Sequence, residues 1–347
     1  MKMKELFGKM PKVKPTEKVL LLTHTDLDAA GAAIIAKTVF PNIDIQHCKN
    51  GQMSQYITTN VVDNIGHYDK IIACDISCNM LDAAKIDASK NSKRFILLDH
   101  HCTATFLNRY TWACVQNDII EDCSRINRYP NKIGHSSGTS LMFDYLDYLK
   151  LIPSESRDAL NELAFRVALY DTWDWVELFE RKQECYDLNL LSDIYSLEPF
   201  EAKLAISVKN HPNTALDDLF DECDKFLLDN EKKKITSVIS ESKKQVKTGA
   251  LKRDGKYYKI AWCNQTNYIA ETFDMMKTEH PECDIYMMVY AGGISLRSHT
   301  NGVHVGEFAK ALGGGGHAAA AGISITFDKQ VERLANILES EIYVDRK

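Results

Sequence analysis

Val19-Leu20-Leu21-Leu22-Thr23-His24-Thr25-Asp26-Leu27-Asp28 is the stretch on which the reading of this 347-residue chain turns. Its four leading apolar residues predict a buried strand. If the backbone stays extended beyond them, side chains at alternate positions share a face, so His24, Asp26 and Asp28 point the same way. An imidazole and two carboxylates side by side at the carboxyl end of a strand build a poor core and a good beginning for a metal site. Asp28 alone would also suit the N-cap of a helix predicted over 29–39. A cap accounts for one residue of the three.

Working outward, strand and helix signals alternate through the first 130 or so residues, which predicts an α/β domain with a parallel sheet. Residues 43–48 read as another strand. The short apolar run 71–74 ends at Asp75, and the run 95–98 ends at Asp99-His100-His101. Three apolar runs therefore terminate in acids or histidines, and in open parallel sheets ligand sites gather beyond the carboxyl ends of the strands. From 137 to 204 the pattern is mostly helical, broken by Ala168-Leu169-Tyr170-Asp171-Thr172-Trp173. Trp173 and Trp175 on either side of Asp174 read as core packing before they read as a base-stacking platform.

Residues 216–246 predict a long charged helix. Its lysines are interleaved with acids such as Glu231 and Glu241, the mark of a solvated face and not of a nucleic-acid groove. A polar, basic turn over 248–255 leads to strand-like runs at 257–262 and 285–290, hence a second, smaller α/β domain. There, Gly313-Gly314-Gly315-Gly316-His317 follows a helix-like segment over 305–312 and precedes an alanine run that predicts a further helix. Glycines allow close backbone approach, and consecutive N–H groups can cradle an anion. Arg297, in Ser295-Leu296-Arg297-Ser298, could take a phosphate with two prongs.

Composition narrows the class. Apolar residues at 45% and charged residues at 26% are ordinary for a globular protein. A net charge of −6 argues against coating long nucleic acid, yet leaves room for a small anionic substrate held locally. No run approaches the ~18 apolar residues of a membrane helix, and residues 1–18 lack a secretory apolar core. Ten scattered cysteines lack paired zinc spacing, so reduced thiols in a cytoplasmic protein are expected.

With these residues in place, the chain resembles the DHH phosphoesterase family with its C-terminal DHH-associated domain. His24-x-Asp26-x-Asp28 is similar to the first family motif, Asp75 to the second, Asp99-His100-His101 to the signature that names it, and Asp171 to the fourth. The glycine-rich segment and Arg297 are similar to substrate-binding features of the associated domain. The motifs run in the expected order over nearly the whole chain. One departure is Ala29-Ala30 ahead of Gly31, where many members have glycine at once. The resemblance implies a catalytic domain over 1–215, a helical connector over 216–247, a substrate-binding domain over 248–347, and an active site in the cleft between the domains. It also implies two divalent ions about 4 Å apart, Mn²⁺ with Mg²⁺ as the alternative. His24 and Asp26 would hold one ion, and Asp28, His100 and Asp171 the other, with Asp75 bridging. Asp75, His100 and His101 would be catalytic. His101, Arg297, Gly314, Gly315, Gly316 and His317 would contact substrate.

The expected activity is hydrolysis of very short oligoribonucleotides to mononucleotides, because the tryptophan-bearing segment around Asp171 is similar to that of one nanoRNase branch. The alternatives are a 3′-phosphoadenosine-5′-phosphate phosphatase, a soluble linear or cyclic dinucleotide phosphodiesterase, and a non-catalytic nucleotide sensor. Expected partners are short single-stranded RNA or small nucleotides, with no membrane and no long duplex. The sequence leaves oligomeric state open, a homodimer included.

Overall fold

A computed structural model describes residues 1–324 except 50–52, 64, 180–181, 254, 291, 300–301, 311–313 and 317. The chain divides into two compact units, Met1–Leu228 and Asp229–Lys347.

In the first unit, β1 (Val19–Thr23), β2 (Ile43–His47), β3 (Lys70–Cys74), β4 (Phe95–Asp99) and β5 (Ala113–Val115) form one sheet in the order β2-β1-β3-β4-β5, and every pairing is parallel. Strands β1 and β4 are buried along their whole length, as expected where both faces of a parallel sheet are covered. Alternation sorts their side chains. Val19, Leu21, Ile72, Ile96 and Leu98 join one core with residues of the helices Leu27–Val39, Gly138–Tyr148 and Arg157–Asp171. Leu20, Leu22, Ile71, Phe95 and Leu97 join the other, with Ala83 and Ile86 of the helix Met80–Ala88. The strands expected from the sequence are present; β5, only three residues long, had no readable signal.

The helical middle of the chain is also present, ending in the 24-residue helix Glu222–Gln245. In the second unit, β6 (Lys247–Arg253), β7 (Lys256–Asn264), β8 (Ile285–Tyr290), β9 (Gly293–Arg297), β10 (Gly315–Gly316) and β11 (Ala320–Ser324) form a six-stranded sheet, β10-β11-β9-β8-β7-β6. Among the described residues only β7 and β8 pair in parallel, and the helix Ile269–Glu279 connects them.

Two segments differ from the sequence expectation. The alanine run does not start a helix: Ala320 and Ala321 lie in β11, paired on one side with β9 and on the other with β10. Alanine's helical preference is under 1 kcal/mol per residue, and a ladder on both edges outweighs it. Residues 248–255 are not simply a polar turn, since Lys247–Arg253 is an edge strand paired antiparallel with β7. Its exposure hides the period-two signal, because an edge strand with solvent on most sides has no apolar face to show.

One buried ion pair braces the first unit. Arg125 Nη2 donates to Asp144 Oδ2 at 2.6 Å, both side chains being almost wholly enclosed. It ties the loop before the helix Gly138–Tyr148 to that helix. Replacing Asp144 with alanine should strand the guanidinium and cost about 3–5 kcal/mol, read as an early first transition in urea. The double variant Arg125→Met, Asp144→Leu should recover most of that loss.

Candidate metal centre

Strand order places the predicted residues. The chain runs from β1 to the edge strand β2, then returns to β3 on the other side of β1, so the order reverses at β1/β3. Parallel sheets bind ligands in the crevice at such a reversal, beyond the carboxyl ends. His24 follows the end of β1, Asp75 follows the end of β3, Asp99 ends β4 and Asp171 ends the helix Arg157–Asp171.

The three ligands of the opening motif do not share a face by strand alternation. The strand stops at Thr23, Asp26 is the N-cap of the helix Leu27–Val39 and accepts from the Ala29 N–H at 3.0 Å, and Asp28 lies inside the first helical turn. Asp26, not Asp28, is the capping acid. The turn of the chain carries Asp28 inward, where it is 1% exposed.

Two sets of potential ligand atoms match the expected division, His24 with Asp26 and Asp75, and Asp28 with His100 and Asp171, and a third, Asp75 with Asp99, His100 and His101, overlaps them. Within each set the atoms lie within 4.8 Å of one another. His24 Nδ1 is 2.5 Å from Asp26 Oδ2. His100 Nε2 is 3.3 Å from Asp75 Oδ1, 3.3 Å from Asp171 Oδ2 and 3.9 Å from Asp28 Oδ2. Asp75 thus stands next to both sets. It has φ 60, a left-handed backbone that aspartate tolerates better than most residues. A pocket of about 360 Å³ opens over the cluster, lined by His24, Asp26, Asp75, His101 and Asp171 and walled by Met53, Ile76, Ser77 and Thr103.

Residues that the sequence reading missed hold these groups in place. The Gly138 and Thr139 N–H groups donate to the two oxygens of Asp28 at 2.5 and 2.8 Å, and the Thr139 hydroxyl donates to the Asp28 carbonyl at 2.6 Å. These N–H groups belong to the first turn of a helix, where they lack intrahelical acceptors and attract negative charge. Ser137-Gly138-Thr139-Ser140 does read as a helix start, but nothing in it names Asp28 as the occupant. At the end of β2, beside β1, His47 Nδ1 donates to the His24 carbonyl at 2.7 Å. The other His47 nitrogen is 3.0 Å from Glu201, which also takes Lys37 at 2.8 Å. Asp99, fully buried, accepts from the His100 and His101 N–H groups and from His101 Nδ1 at 2.8 Å. That bond fixes the His101 ring and leaves its Nε2 for another partner.

The electrostatics call for cations. Burial and then the nearby carboxylates, Asp28 first, push Asp75 well above the usual carboxylate range. Burial and Asp28 likewise raise Asp171 to about 7. Burial opposes a charged His100, yet Asp28 and Asp171 hold its imidazole above the ordinary value. Its Nε2 is buried among three carboxylates without a hydrogen-bond partner. Like charges this close and this dry cannot all ionise unless positive charge joins them. Mixed imidazole and carboxylate donors fit divalent transition ions better than the all-oxygen surroundings of Ca²⁺.

In the second unit, Arg297 ends β9 half-buried, with its guanidinium 5.0 Å above the Phe273 ring. Among the described residues it has no carboxylate partner, and burial lowers its pKa. Gly315 and Gly316 form β10 and Gly314 precedes it; a Cβ at Gly314 would meet the Gly322 carbonyl at 2.2 Å. The glycines therefore serve strand pairing as well as any ligand. His317 and Gly313 lie outside the described residues.

Carboxylates and imidazoles converging at the reversal of a parallel sheet suit divalent metal ions, the equipment of a metal-dependent phosphoesterase. Two stretches of the chain match models of this kind: residues 18–169 match the DHH family, N-terminal domain, and residues 269–343 match the DHHA1 domain. It is 28% identical over 317 residues to oligoribonuclease NrnB of Bacillus subtilis (strain 168), covering 88% of this chain and 72% of that one. Among solved structures, the pGpG-specific phosphodiesterase PggH from Vibrio cholerae matches with a TM-score of 0.51 and 17% identity, over 94% of this chain and all of that one. Among the described residues no helix is long and apolar enough to cross a membrane.

Gly138 offers a sharp test of the geometry. A methyl group there would sit 2.6 Å from the Asp75 Cβ and 2.8 Å from Asp28 Oδ2. Gly138→Ala should keep its circular dichroism spectrum while phosphodiesterase turnover falls on the order of 100-fold, as when groups supporting a metal site are displaced. Turnover close to that of the parent would contradict this placement of Asp28 and Asp75.

Proposed function

We propose that this protein is a two-metal phosphodiesterase that hydrolyses very short oligoribonucleotides to mononucleotides. The observation that carries the reading is the pair of ligand sets, one containing Asp75 and the other reaching within 3.3 Å of it through His100, under a pocket of about 360 Å³. That volume is at the small end of ligand sites, roughly 300–1,000 Å³, and suits a substrate of few residues. The likeness to oligoribonuclease NrnB over most of both chains supports the same substrate class.

His24 and Asp26 would hold one cation, Asp28, His100 and Asp171 the second, with Asp75 between them; Mn²⁺ suits these donors best, with Mg²⁺ as the alternative. Bound divalent cations supply positive charge at the phosphoryl oxygens and make water easier to deprotonate. The protein's own groups orient the ester. His101, held through Nδ1 by Asp99, presents Nε2 to a non-bridging phosphate oxygen. Arg297 and Gly314 to His317 would take a further anionic part of the substrate. Water adds to phosphorus as the bond to the leaving ribose oxygen breaks, and that oxygen takes a proton. Residues 1–215 would carry the chemistry and 248–347 the substrate contacts, with 216–247 joining them. Ten free cysteines accord with a cytoplasmic setting.

A panel of di- to pentaribonucleotides, cyclic dinucleotides and 3′-phosphoadenosine-5′-phosphate, each with Mn²⁺, tests the substrate. The diribonucleotide should give the highest kcat/KM among them; preference for the bisphosphate would sink the proposal. Asp75→Asn tests the site, since asparagine also tolerates a left-handed backbone. It should lower turnover about 100-fold or more and abolish the rise in melting temperature with Mn²⁺. The metal-free variant should melt no lower than the metal-free parent, because folding no longer forces a carboxylate to take up a proton there.

A further inference from the structure

Trp173 stands out among the large apolar side chains of the first unit. It is 47% exposed, and its backbone lies at φ 69. A bulky residue in the left-handed region is an outlier, and such strain persists only where neighbours over-determine it. Exposure of an indole adds a second cost.

Its neighbours along the chain are both anchored. On its C-terminal side Asp174, 1% exposed, accepts both the His135 N–H and His135 Nδ1 at 2.8 Å. Trp175 is buried in a stack between Tyr170 and Tyr186, with ring centroids 5.8 and 6.0 Å away. Trp173 meets Trp175 edge-on at 5.7 Å and 78°. Two anchored residues thus hold the third outward, two positions after Asp171. At about 3.3–3.6 Å per residue, that spacing keeps the Trp173 backbone within roughly 7 Å of Asp171.

We propose that Trp173 is the base-stacking residue of the substrate site, a rigid aromatic platform for one nucleobase next to the scissile phosphate. The inference rests on the oligoribonucleotide reading. A stacking face binds any base without reading its edge, which suits a degrader of mixed short RNA. The Asp174–His135 pair acts as a positioning latch that holds the turn.

The test compares wild type, Trp173→Ala and Trp173→Phe on a diribonucleotide and on analogues lacking the base at the 5′ or the 3′ residue. Loss of one base stack predicts KM for the diribonucleotide raised roughly 5- to 150-fold in Trp173→Ala, with kcat within about 3-fold. Trp173→Phe should retain most of the affinity. The loss should vanish on one of the two abasic analogues, and the Mn²⁺-induced rise in melting temperature should be unchanged. Equal losses on all three substrates, or none, would overturn the inference. If wild type cleaves no diribonucleotide, the function proposed above has failed instead. The comparison is then made by calorimetric binding of adenosine 5′-monophosphate against ribose 5-phosphate. A tighter grip on the nucleotide that Trp173→Ala loses supports the platform, and equal affinities in both proteins overturn it.

Discussion

The carboxylate of Asp28 sits on the N–H groups of Gly138 and Thr139, and much of the first unit is arranged to allow that contact. It satisfies two donors that a helix start leaves open and brings negative charge to the favourable end of the helix. It also joins the first helix after β1 to the helix Gly138–Tyr148. The close approach depends on small residues on both sides: a Cβ at Gly31 would meet Thr139 Oγ1 at 2.4 Å, and one at Gly138 would strike Asp75. Helix packing and ligand placement are therefore one constraint. A change in either moves the other.

That constraint concentrates charge. Asp28, Asp75 and Asp171 crowd His100, and burial together with that crowding keeps Asp75 and Asp171 above ordinary carboxylate values. Sheet topology supplies the place for it, since the reversal at β1/β3 opens a crevice that no strand fills. Two non-glycine residues with left-handed backbones, Asp75 and Trp173, belong to the segments that build the site. Strain of this kind gathers where surrounding structure overrides local preference.

Much of the fold was legible in sequence because its signals are local. Continuous apolar runs marked β1, β3 and β4, and each ended at a residue able to bind metal or phosphate. The order of the motifs indicated the family. What escaped was whatever depended on a partner distant along the chain. Ala320 and Ala321 carry a helix former's preference yet sit between two strands. Lys247–Arg253 pairs through its backbone alone, so its side chains say little. Ser137 to Ser140 reads as a helix start, and Glu201 as one more acid on a helix, although one segment grips Asp28 and the other backs His47.

The sequence by itself determined which residues could carry the chemistry, since an imidazole or carboxylate directly after an apolar strand has few structural uses. Only the tertiary structure decided how they meet. Asp28 is aimed by a helix turn and by two N–H groups more than a hundred residues away, not by the alternation of an extended strand. Trp173 is held outward by anchors at Asp174 and Trp175. Local pattern encodes a residue's chemistry and, where apolar runs are continuous, its element; the direction of its side chain comes from packing, which is non-local.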